Sequence, residues 1–132
     1  MNAPKKNSNV LTLIVPSYNE ASVLPKLLPD LIAYCEDKKW KIILVNDGST
    51  DETSSILNNY PNTDNFKVIH HRLNRGYGAA IKSGISEADT KYIVTIDSDG
   101  QHYLEETNKR LKSSSFLTCQ EKNLLPGWTL IQ

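Results

Sequence analysis

Residues 41–52 read Lys41-Ile42-Ile43-Leu44-Val45-Asn46-Asp47-Gly48-Ser49-Thr50-Asp51-Glu52: an apolar run, a polar turn and the opening of a helix. The run from Lys41 to Val45 is continuous rather than alternating, which suits a strand covered on both faces. Ser49 and Glu52 stand at capping-box spacing ahead of Ile56 and Leu57, so a helix is predicted to begin at Ser49. Three more β-branched-rich runs repeat the theme: Val10 to Val15, Phe66 to His70 and Tyr92 to Ile96. The four starts lie 31, 25 and 26 residues apart, and each gap holds a polar loop followed by a helix-length amphipathic stretch. That is the rhythm of βαβ units, and it predicts an α/β fold of three layers, helices on both faces of a mainly parallel sheet.

The first helix is predicted over Pro25 to Asp37, with Leu27, Leu28, Leu31, Ile32 and Tyr34 to Cys35 facing inward. Pro25 suits a first turn, whereas Pro29 is expected to kink or restart the helix. A later helix is predicted from about Gly78 to Ala88, burying Ala80, Ile81 and Ile85, and another from about Leu104 to Lys112. Beyond Ser113 no period is sustained, and no strand is expected between Lys112 and Gln132. The chain thus divides into a disordered N-terminal tail (1–9), one domain (10–112) and an atypical C-terminal tail (113–132).

A chain of 132 residues has room for one core. Hydrophobic residues make up 39% and charged residues 23%, so disordered, collagen-like and membrane-spanning classes lose support. Fifteen Lys plus Arg balance fifteen Asp plus Glu, so no global positive field holds nucleic acid, and any anion must be met locally. Cys35 and Cys119 form neither a zinc pair nor a disulfide framework, which favours a reducing, cytoplasmic setting. No 18-residue apolar span is present, although docking at the cytoplasmic face of a membrane stays open.

In open α/β sheets ligands bind beyond the carboxyl ends of the strands. The four exits here are Val15-Pro16-Ser17-Tyr18-Asn19-Glu20, Asn46-Asp47-Gly48-Ser49-Thr50-Asp51, Asn74-Arg75-Gly76-Tyr77-Gly78 and Asp97-Ser98-Asp99-Gly100-Gln101-His102. In extended backbone Asp97 and Asp99 point to one side, and two converging carboxylates attract a hard cation, Mg²⁺ or Mn²⁺, with positions left for phosphate oxygens. The plain alternative is a solvated turn with Asx hydrogen bonds. Gly76 and Gly78 provide the first two glycines of a dinucleotide fingerprint, but Ile81 stands where a small residue is needed, so a Rossmann NAD site is disfavoured. A P-loop is excluded, since no Gly-Lys-Ser/Thr occurs. What remains for Arg75, Gly76 and Gly78 is either a close backbone approach to a ligand, with Arg75 near phosphate, or a tight turn that packs a helix. The adjacent His70 and His71 read as packing or loop residues rather than catalytic ones.

Taken together, the four exits resemble the family-2 glycosyltransferases of the GT-A fold, and the run Gly76-Tyr77-Gly78-Ala79-Ala80-Ile81-Lys82-Ser83-Gly84 with Asp97-Ser98-Asp99-Gly100-Gln101-His102 looks most like the dolichol-phosphate mannose synthase branch, which makes polyprenyl-phosphate sugars. The resemblance covers Val10 to His102. It implies that Pro16, Tyr18 and Glu20 line a nucleotide pocket, that Asp47 contacts base or ribose, and that Asp97 and Asp99 sit at the ribose and the metal-bound diphosphate with Gln101 as a further ligand. The implied reaction is metal-assisted inverting transfer of a sugar from a UDP- or GDP-linked donor to an acceptor such as a polyprenyl phosphate or a glycan, with Asp97 and Asp99 catalytic. The same resemblance implies more chain after Asp99 than the 33 residues present, so the domain reads as truncated. The competing readings are a noncatalytic nucleotide-binding module that needs a partner or a second copy to complete the fold, and a sugar nucleotidyltransferase, disfavoured because no Gly-rich basic loop follows the first strand.

Overall fold

The computed structural model describes residues 11–96 and 128–131. Four parallel strands, β1 (Leu11–Ser17), β2 (Lys41–Asp47), β3 (Phe66–His71) and β4 (Tyr92–Ile96), are joined by β5 (Trp128–Ile131), which runs antiparallel to β4. The sheet order is β3-β2-β1-β4-β5. The connecting helices are α1 (Leu24–Lys38), α2 (Thr53–Leu57) and α3 (Tyr77–Glu87).

The unbroken apolar runs are explained by burial on both faces. Leu11, Leu13 and Val15 of β1 and Ile42 and Leu44 of β2 join Leu24, Leu27, Leu28, Leu31 and Cys35 of α1 and Leu57 of α2 in the larger core cluster. The alternate residues Ile14, Ile43 and Val45 face the other way and meet Ala80 of α3. The result is the three-layer α/β/α sandwich with a mainly parallel sheet. Each fully buried leucine or isoleucine contributes roughly 1.5–3 kcal/mol. Burial also pushes the Cys35 thiol pKa well up, so this cysteine packs as an apolar residue.

Several expectations are corrected. Helix α1 continues through Pro29 instead of restarting there. Pro29 is exposed, so its ring points away from the core, and the buried leucines on the opposite side hold the turns together despite one missing backbone hydrogen bond. Ser49 caps no helix: α2 begins four residues later, at Thr53, whose N–H donates to the Asp51 carboxylate at 2.9 Å. The Ser49 hydroxyl is engaged elsewhere, accepting from the Asn19 N–H at 2.9 Å. On α3 Ala80 and Gly84 are buried and Ile81 is partly buried against the same cluster as expected, but Ile85 is exposed. Gly84 is required because a Cβ there would lie 2.6 Å from the Ile14 side chain. Finally, β5 places a strand within 112–132, where none was expected: pairing with β4 supplies the order that local periodicity lacks. The expected helix over 104–112 lies outside the described residues. No helix among the described residues is long and apolar enough to cross a membrane.

Candidate functional site

At the carboxyl ends of β1 and β2 lies a cavity of about 330 Å³, lined by Pro16, Ser17, Tyr18, Glu20, Asp47, Asn74, Gly76, Tyr77 and Ala80. Three of the four exits therefore meet at one place. Tyr18 is 44% exposed and offers its ring at the mouth, while Glu20 and Asp47 are buried. The Ser17 hydroxyl is buried and has no hydrogen-bond partner among the described residues, an unspent polar group in the cavity wall.

The wall is built from side chains that bind backbone. Asn19 adopts a left-handed conformation, φ 54°, which asparagine tolerates better than most residues. Its Oδ1 accepts the N–H groups of Thr50 at 2.7 Å and Asp51 at 3.2 Å, tying the first exit to the second. The Glu20 N–H donates to the Thr53 hydroxyl at 3.0 Å. Substituting Asn19→Ala is expected to cost about 2 kcal/mol, as both hydrogen bonds and conformational tolerance are lost; Asn19→Gly, which keeps only the latter, should cost about 1 kcal/mol. Urea unfolding of the two variants checks this, and a glycine variant less stable than the alanine one would contradict it.

Asp47 organises the third exit. One carboxylate oxygen accepts from His71 Nδ1 at 2.8 Å and from the Arg75 N–H at 2.9 Å. The other accepts from the Gly76 N–H at 2.9 Å and Asn74 Nδ2 at 3.2 Å. Burial alone would raise the Asp47 pKa, but the hydrogen bonds from His71, Arg75 and Gly76 outweigh it and hold the carboxyl below its ordinary range. On the far side of the imidazole, Nε2 lies 2.8 Å from the Ser83 hydroxyl. A carboxylate only accepts, so in the neutral ring Nδ1 carries the proton and Ser83 donates to Nε2.

The structure thus gathers Pro16, Tyr18, Glu20, Asp47 and Gly76 around one cavity. Arg75 contributes its backbone N–H, with its side chain outside the lining, and Gly78 lies in the first turn of α3 without lining the cavity. Asp97, Asp99 and Gln101 lie outside the described residues. Asp97 follows Ile96, whose carbonyl accepts from the Tyr77 hydroxyl at 3.1 Å, so the end of β4 is tied to the cavity wall. His71, expected to be a packing or loop residue, bonds to Asp47, and Asn74 and Ser83, to which no role was assigned, join the same network. A signal was present: parallel pairing of β2 and β3 sets Asn46 beside His70 and Asp47 beside His71, two polar pairs in step. His70 takes the Asn46 Nδ2 at 3.0 Å.

No group of three or more His, Cys, Asp or Glu among the described residues could hold a metal ion. Asp47 has its four acceptor directions engaged, which leaves its carboxylate no lone pair for a cation.

Residues 12–113 match the model of Glycosyl transferase family 2. The chain belongs to that family. This family-2 chain is 37% identical over 102 residues to an undecaprenyl-phosphate 4-deoxy-4-formamido-L-arabinose transferase of Proteus mirabilis, covering 74% of this chain and 31% of that protein. It is 32% identical over 121 residues to a dolichyl-phosphate beta-glucosyltransferase of Trichomonas vaginalis, covering 83% and 38%. Among solved structures it resembles S. aureus TarS (residues 1–349), with a TM-score of 0.57 and 27% identity over 76% of this chain and 31% of that one. The same TarS segment is also solved with UDP, again at a TM-score of 0.57, with 29% identity over 68% of this chain and 27% of that one. The family-2 chain therefore spans about a third of the length of the relatives it matches.

Proposed function

We propose that this family-2 chain forms the nucleotide-sugar-binding part of a transferase that moves a sugar from a UDP- or GDP-linked donor to a polyprenyl-phosphate acceptor. The observation that carries the reading is the cavity at the strand exits, where Pro16, Tyr18, Glu20, Asp47 and Gly76 converge beside the end of β4. TarS, which is solved with UDP, shares the fold, and the relatives from P. mirabilis and T. vaginalis are named for lipid-phosphate acceptors.

In this reading the Tyr18 ring offers a face for the base, and the Ser17 hydroxyl a polar contact for the nucleotide. Asp97 and Asp99, with Gln101, would hold Mg²⁺ or Mn²⁺, and that ion supplies positive charge beside the diphosphate. The acceptor oxygen attacks the anomeric carbon as its bond to the diphosphate oxygen breaks; the electron pair leaves with the diphosphate and the centre inverts. An acceptor phosphate is already anionic and needs no base to remove a proton. In this reading the domain spans 10–112 and works at a cytoplasmic membrane face.

Thermal shift with UDP and GDP, each with and without Mn²⁺, on wild type and Asp99→Ala tests the proposal. One nucleotide should raise Tm by several degrees, at ligand about a hundredfold above Kd, only when the metal is present and only in the wild type. Equal shifts with and without Mn²⁺ would overturn the metal assignment, and no shift with either nucleotide would overturn the donor reading. Metal-dependent nucleotide binding with no transfer to polyprenyl phosphate would mark a noncatalytic binding module instead.

A further inference from the structure

We infer that His71, backed by Ser83, is a positioning residue for the donor site: it holds the Asp47 carboxylate in the one orientation that anchors the 74–76 turn as a wall of the cavity. The inference rests on the donor reading above and adds two residues to it, His71 and Ser83, neither of which lines the cavity.

A carboxylate can accept about four hydrogen bonds. All four at Asp47 are taken by the chain's own donors: His71 Nδ1, the Arg75 and Gly76 amides, and Asn74 Nδ2. Asn74 Nδ2 also reaches the Asp47 carbonyl at 3.1 Å. Asp47 is thus the hub of a turn whose residues Asn74 and Gly76 line the cavity. Of the four donors, three belong to the turn being positioned, so they cannot themselves fix the hub. His71 is the exception, because it sits on β3 in register with Asp47 and belongs to the sheet. The imidazole is fixed in turn by Ser83, on α3. Both side chains of the His71–Asp47 pair are only 5% exposed, so water does not replace a lost partner cheaply. The chain of contacts runs from a helix, through a ring with one defined tautomer, to the carboxylate and then to two backbone amides.

The full chain is titrated with UDP and with GDP in the presence of Mn²⁺ by calorimetry at 15 °C, in wild type, His71→Leu, His71→Asn and Ser83→Ala, each first checked for folding by circular dichroism. For the nucleotide that binds wild type, His71→Leu should weaken affinity about tenfold or more, since a hydrogen bond to a charged group is lost from the hub. His71→Asn, whose amide can still donate towards Asp47, should recover most of that loss, and Ser83→Ala should weaken binding about threefold. A purely structural role lowers Tm in His71→Leu and His71→Asn without separating their affinities. Wild-type affinity in a folded His71→Leu, or equal impairment of His71→Leu and His71→Asn, overturns the inference while leaving the donor reading in place. If His71→Leu does not fold, His71→Asn and Ser83→Ala decide: unaltered affinity in Ser83→Ala overturns the inference, and a threefold loss beside a near-normal His71→Asn supports it. A wild type that binds neither nucleotide removes the donor reading and this inference with it.

Discussion

Replacing Gly48 with alanine is expected to lower Tm by about 10 °C, a loss of about 3 kcal/mol, and to weaken nucleotide binding in whatever fraction folds. Gly48 sits at φ +71°, in the left-handed region, so any Cβ is strained there before its neighbours are considered. Its neighbours make matters worse, because that Cβ would overlap the backbone nitrogen of Asn74 and the carbonyl carbon of Leu73. Backbone cannot swing aside as a side chain can. Relief requires the 73–76 segment to move, and that segment carries the Arg75 and Gly76 amides bound to Asp47. Thermal melts and nucleotide calorimetry on Gly48→Ala give the two readouts. A variant with wild-type Tm would show that the second and third exits do not press against each other as described.

Truncating Leu31 to alanine should cost about 3 kcal/mol, visible as a lower urea midpoint with little change in slope. Leu31 is fully buried in the cluster that α1 forms with the sheet, and removing its methyl groups leaves a cavity that rigid strands do not close. Because Leu31 lies outside the lining of the strand-exit cavity, the folded variant should retain wild-type affinity for whichever nucleotide the wild type binds, in contrast to Gly48→Ala. Leu73→Ala is the control: Leu73 is 76% exposed, and its loss should shift stability by less than about 0.5 kcal/mol. A Leu31→Ala variant as stable as that control would contradict the core described for α1.

Local pattern carried far where local physics was sufficient. The four strands came from unbroken apolar runs, since two-sided burial leaves no room for polar alternation, and their parallel order followed from the spacing between them. Pattern failed where a residue had more than one use for its polar group. Ser49 has the spacing of a helix cap, yet its hydroxyl accepts from Asn19 thirty residues earlier, and a distant partner of that kind cannot be read from a capping motif. Ile85 failed for a different reason: hydropathy points Ile85 inward, but Gly84 takes the inner position, where an added Cβ would lie 2.6 Å from the Ile14 side chain.

What the amino-acid order determined alone was the four parallel strands, the helices α1 and α3 between them and the identity of the exits, because these depend on neighbours a few positions apart and on the chemistry of single residues. The tertiary structure decided which of those exits share a cavity and which side chain governs which. Asp47 and His71 are ordinary residues until β2 and β3 align, and Ser83 joins them only when α3 crosses the sheet. Hydrogen bonds reach about 3 Å, so a network linking residues 47, 71, 74, 75, 76 and 83 exists only once the packed sheet has brought those strands, turn and helix together.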